Sequence, residues 1–112
     1  MNRIDRRGAR MVTVIFLVSL AFALPAAAGE DGAAIFKAKC AACHGASGAG
    51  DTPMGKKLGV KDLGAPGAQT LTDDELFDIV SQGKNKMPPF EKRLAPEKIR
   101  LVVTYVRSLA RS

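Results

Sequence analysis

The sequence predicts a small all-α domain in which three main helices and long loops wrap one covalently held prosthetic group. Three observations predict it. Helix-period apolar patterns with capping residues occur three times along the chain, and no strand-helix-strand alternation accompanies them. The 112 residues contain no tryptophan, so side chains alone would build a thin core. The only two cysteines and the only histidine stand together in Cys40-Ala41-Ala42-Cys43-His44. Thiols three residues apart share one face of a helical turn, where each can form a thioether with a haem vinyl group. His44 follows at once and falls beneath the iron as its proximal nitrogen ligand.

Other chemistries of this motif are less well supplied. A thioredoxin-like dithiol belongs beside a βαβ pattern, which is missing. A zinc site needs four protein ligands and this cluster offers three. A disulfide across two intervening residues would close almost no loop and constrain the unfolded chain little. A covalent haem, by contrast, staples a domain too small to hold itself together.

Residues 1–28 read as a secretory signal peptide. Arg3, Arg6, Arg7 and Arg10 form a basic start, and Met11 to Leu24 is apolar except for Thr13 and Ser19. Ala26-Ala27-Ala28 makes a small-residue cleavage site, which leaves residues 29–112 as the single-haem domain. The apolar run is shorter than the ~20 residues that span a bilayer, and Pro25 ends it, so no stable membrane insertion is expected after cleavage. Export points to the periplasm. The leader carries four of the 17 basic and one of the 11 acidic side chains, leaving 13 against 10. A net charge of about +3 gives no reason to expect nucleic acid as a partner.

The first helix should start after Glu30-Asp31, whose carboxylates suit a helix N-terminus, and run through Phe36 into the haem motif. Gly32, Phe36, Cys40 and Cys43 lie on one stripe, which places Phe36 beside the haem. Residues 45–70 show no clear period and are expected as loop, with a short turn of helix near Met54 to Leu58. Leu58 and Leu63 are its candidates for facing the haem. The Pro53 carbonyl is a candidate acceptor for the free ring N–H of His44, although a loop proline is more often only a turn-former.

Thr72-Asp73-Asp74-Glu75 is a capping box, so a helix follows to about Gln82 with Gly83 as its stop. The helix dipole accounts for its acidic residues. Lys84-Asn85-Lys86-Met87-Pro88-Pro89-Phe90 comes next. Met1 and Met11 lie in the leader and Met54 is only ten residues past His44, whereas Met87 is 43 residues downstream, far enough to reach the other haem face. Two prolines stiffen that loop. Filling a gap in the core is the alternative role for Met87. The last helix opens at Pro96 and runs to about Ala110. Its strand-favouring Leu101 to Val106 run is overruled by helical spacing of Ile99, Val102, Val103 and Val106, with Arg100, Thr104, Arg107 and Arg111 opposite. Leu101 and Tyr105 widen the apolar arc.

On these residues the chain resembles a class I cytochrome c of the small soluble single-haem bacterial and algal type. Gly32 and Phe36 before Cys40-Ala41-Ala42-Cys43-His44-Gly45, then Gly83 to Phe90, then Tyr105-Val106 carry the resemblance. It implies that the terminal helices cross near Gly32, Phe36 and Tyr105. It also implies one haem c, attached through two thioethers, with iron between His44 and Met87.

Iron held by His44 and Met87 has no open position, so the expected function is electron transfer between respiratory or photosynthetic redox proteins and not enzymatic catalysis. The alternative is a haem-based enzyme or sensor whose sixth ligand is labile; no second histidine is present to serve acid–base work there. Lys37, Lys39, Lys56, Lys57, Lys61, Lys84 and Lys86 bracket the two ligand segments. A basic rim of this kind would meet acidic docking surfaces on partners of a monomeric carrier.

Overall fold

The computed structural model describes residues 31–111, so the leader and its cleavage site lie outside the described residues. Six helices follow in order: α1 (Gly32–Lys39), α2 (Ala41–His44), α3 (Pro53–Leu58), α4 (Pro66–Gln69), α5 (Asp73–Gln82) and α6 (Pro96–Ser108). No strand occurs among the described residues; a lone bridge pairs Lys84 with Met87. The three main helices of the sequence reading are α1, α5 and α6, and the short ones punctuate the loops.

Each main helix begins as its sequence dictates. Asp31 caps α1 by accepting from the Ala34 N–H at 2.7 Å. At α5 both halves of the capping box form: the Thr72 hydroxyl accepts from Glu75 N, and the Glu75 carboxylate accepts from Thr72 N at 2.7 Å. Gly83 ends α5 with φ +76, and Pro96 occupies the first turn of α6.

The helices meet through their apolar faces. α1 crosses α6 where Gly32 has no side chain, since a Cβ there would lie 2.1 Å from the Leu101 carbonyl oxygen. One turn along, the Phe36 and Tyr105 rings pack with centroids 5.1 Å apart. The implied crossing at Gly32, Phe36 and Tyr105 is therefore present. Ile35 and Phe36 from α1 join Leu76 from α5, Phe90, Leu94, and Ile99, Val102, Val103 and Val106 from α6 in the buried core.

Four local expectations are corrected. Residues 45–70 hold a second short helix, α4, because Pro66 presets its first turn and the Thr70 hydroxyl donates to the Pro66 carbonyl at its end. The first helix does not run unbroken into the haem motif but breaks at Cys40, which separates α1 from α2. α6 stops at Ser108, short of Ala110, as the chain turns to bring the Arg111 N–H to the Gly64 carbonyl at 2.9 Å. Leu101 is 42% exposed, so it widens the apolar arc in sequence only. Its backbone contacts α1, and its side chain faces away from the core.

Candidate haem site

The haem motif sits on α2, a single turn held from behind by α3. Thr52 caps α3, accepting from Gly55 N at 2.9 Å, while its hydroxyl lies 2.8 Å from the Ala42 carbonyl. Gly55 lets α3 approach, since a Cβ there would fall 2.3 Å from the Cys43 carbonyl oxygen. Sequence reasoning missed Thr52 as the residue that positions the attachment turn. The signal was present in Thr52-Pro53, a cap residue followed by a proline suited to the first helical position.

In front of α2 opens a cavity of about 800 Å³. Cys40, Cys43, His44 and Met87 all line it, as do Phe36, Leu58 and Leu63. The structure thus brings together every site residue chosen from sequence, drawn from two segments 43 positions apart. Met54 is not on the cavity wall and stands 47% exposed on α3. The strap between α5 and α6 also lines the cavity, as do Val102, Val103 and Val106 of α6.

The chemistry of the donors suits a covalently attached porphyrin. Burial alone lowers the pKa of His44, which keeps the imidazole neutral with a lone pair free for a metal. Its ring packs 6.3 Å from that of Phe36. Its Nδ1 is buried without a hydrogen-bond partner, so the anticipated bond to the Pro53 carbonyl is not formed. Pro53 opens α3, a position that places its carbonyl at the start of that helix's own bonding ladder. Burial pushes the Cys40 thiol up to about 11, against the opposing pull of Lys39. Both cysteines are free. Among the described residues no group of three or more histidine, cysteine or acidic side chains converges on a metal-sized site. The two thiols, the neutral imidazole, the thioether sulfur and the large apolar cavity between them fit a haem.

A family model described as cytochrome c oxidase, cbb3-type, subunit III matches residues 27–106. The chain belongs to the cytochrome c family. Cytochrome c6 of Rippkaea orientalis is 40% identical over 107 residues, which span 90% of this chain and 94% of that protein. Among solved structures, the KustC0563 c-type cytochrome matches with a TM-score of 0.67 and 28% identity over 72% of this chain and 99% of that one. Cytochrome c6 from the diatom Phaeodactylum tricornutum matches with a TM-score of 0.53 and 38% identity, covering 70% and 90% respectively. Members of the cytochrome c family carry covalently attached haem c with its iron and transfer electrons; the cytochromes c6 among them are carriers and not enzymes. The fold of this cytochrome c is accordingly that of the small class I type.

Proposed function

We propose that this cytochrome c is a periplasmic one-electron carrier in which Cys40 and Cys43 hold one haem through two thioethers and His44 and Met87 ligate its iron. The observation that carries this reading is the single cavity lined by all four residues, with Met87 its only methionine among the described residues. The haem supplies a one-electron iron couple. The protein's residues do the rest. His44, neutral through burial, and the neutral Met87 sulfur would together hold the iron and leave it no free site for a substrate. Phe36, Leu58, Leu63 and the valines of α6 exclude water from the site. An apolar shell and a neutral sulfur ligand both disfavour the extra charge of the ferric state, and so raise the potential above that of a solvent-exposed haem.

Lys39, Lys61, Lys84 and Lys86 lie on the cavity wall itself, which narrows the basic rim to residues beside the haem. They favour a redox partner with an acidic docking face, met transiently by a monomer. The basic, apolar and small-residue order of residues 1–28 supports export to the periplasm. No helix among the described residues is long and apolar enough to cross a membrane.

Substitution of the proposed ligand is the test. In Met87→Ala the sulfur-to-ferric-iron charge-transfer band should disappear, the potential should fall, and the reduced protein should bind carbon monoxide. Retention of the band would move the sixth ligand elsewhere. Carbon monoxide binding by the unsubstituted protein would instead favour a labile ligand and small-molecule chemistry.

A further inference from the structure

The strap that presents Met87 is closed on itself at its near end and latched to the C-terminal turn of α5 at its far end. At its near end Lys84 and Met87 exchange two backbone bonds, Lys84 N to Met87 O at 3.1 Å and Met87 N to Lys84 O at 2.9 Å, closing a two-residue turn over Asn85-Lys86. At its far end Phe90 N donates to the Val80 and Ser81 carbonyls, and Glu91 N to Ser81. Between these latches Met87, Pro88 and Pro89 have little freedom. Gly83 fits against the near latch, where a Cβ would lie 2.6 Å from the Met87 carbonyl oxygen.

Asn85 is the one non-glycine residue with positive φ among the described residues, at +54°. Its conformation heads the turn. A two-residue hairpin with positive φ at its first central position is ordinarily built on glycine, because a Cβ is crowded there. Asparagine tolerates that region better than other residues with a side chain, and it limits the unfolded turn more than glycine would. Asn85, Lys84 and Lys86 are exposed, whereas Met87 is half-buried on the cavity wall. The turn therefore aims one residue inward and leaves its neighbours in solvent.

We infer that Asn85 is a positioning residue for the sixth ligand, its left-handed backbone closing the Lys84–Met87 turn that keeps the Met87 sulfur at the iron. This rests on the assignment of Met87 above. Retention of Met87 then depends on the backbone at residue 85 and not on any contact made by the Asn85 side chain. An exogenous ligand competes with Met87 and so reads its retention directly.

The experiment is imidazole titration of the haem-loaded ferric protein, followed by the shift of the main haem absorption band, in Asn85→Ala, Asn85→Gly and the parent. Asn85→Ala should bind imidazole about fivefold more tightly, since alanine resists positive φ. Asn85→Gly should stay within about twofold of the parent, since glycine keeps the turn without strain. Equal affinity in all three overturns the inference, and so does an equal gain in both variants, which would assign the effect to the asparagine side chain. Should Asn85→Ala fail to retain haem, Asn85→Ser against Asn85→Gly carries the same contrast. Met87→Ala separates the two claims: imidazole affinity unchanged in that variant would remove Met87 as ligand, whatever residue 85 does.

Discussion

Gly32, Gly55 and Thr52 show how single residues decide where the haem motif can sit. Gly32 allows α1 to lie against the Leu101 carbonyl of α6, and the same crossing carries Phe36 to Tyr105 and His44. Gly32→Ala would have to push two helices apart, because the obstacle is backbone and cannot rotate aside. A loss of roughly 1–3 kcal/mol is expected from overpacking of this kind, measured by denaturant unfolding of the haem-loaded protein. A variant as stable as the parent would show that the crossing can relax. Gly32 and Phe36 were legible in sequence because a family resemblance pointed to them. Gly55 was not, since its reason is the Cys43 carbonyl, a group 12 residues away that no local pattern reveals. His44 was legible by scarcity, but its Nδ1 environment depends on how α3 lies behind α2.

At the scale of elements, the helices that announce themselves by period and cap, α1, α5 and α6, were readable, whereas the ties between them were not. The acidic start of α5 suits its dipole, as its sequence implies, yet two of those carboxylates also reach α6. Arg107 Nε lies 2.7 Å from Asp73, and its other nitrogens donate to the carbonyls of Gln69 and Leu71; Arg100 pairs with Asp74 at 3.4 Å. The polar arc of α6 is thus partly an interface with the 69–74 segment. Gln69 adds to it, donating to the Leu63 and Val106 carbonyls at 2.7 and 2.9 Å. These long-range bonds pin the segment that forms one cavity wall, and a charged residue at helical spacing reads the same whether solvent or a carbonyl receives it. Arg111 ties the chain end in the same way, reaching Asp62 and the Ser47 carbonyl. The Gly64 N–H and then the Arg111 guanidinium hold Asp62 below the ordinary carboxylate value of 3.8. A carboxylate whose folded pKa is depressed stabilises above its unfolded value and loses that contribution as pH falls through the folded one. Asp62→Asn should therefore be less stable than the parent near neutral pH, with the gap closing in acid below about pH 4. A gap that persists unchanged into that range would assign the effect to packing instead of charge.

Across the whole molecule the charges divide by what they touch. The acidic residues at the start of α5 are partly spent on α6, since Asp73 and Asp74 each hold an arginine. Lys39, Lys61, Lys84 and Lys86 surround the cavity that faces a haem, and all four are exposed. A carrier must bring its haem edge close to a partner and then release it, which calls for fast encounter and not for a large dry interface. Long-range attraction meets that need by steering approach, and it weakens as salt screens exposed charges beyond ~10 Å at 0.1 M. Lys84 and Lys86 are exposed at the rim of the cavity, and neither is among the four residues proposed to hold the haem, so their charges can be reversed while those four are kept. Lys84→Glu with Lys86→Glu should slow electron transfer to an acidic partner at low ionic strength, and the deficit should shrink as salt rises. The potential and the charge-transfer band should stay close to those of the parent, which separates docking from ligation. Stopped-flow oxidation across a salt series measures the first, and a redox titration the second. A rate indifferent to both salt and these substitutions would mean that partners dock on apolar surface, and that the lysines serve only solubility.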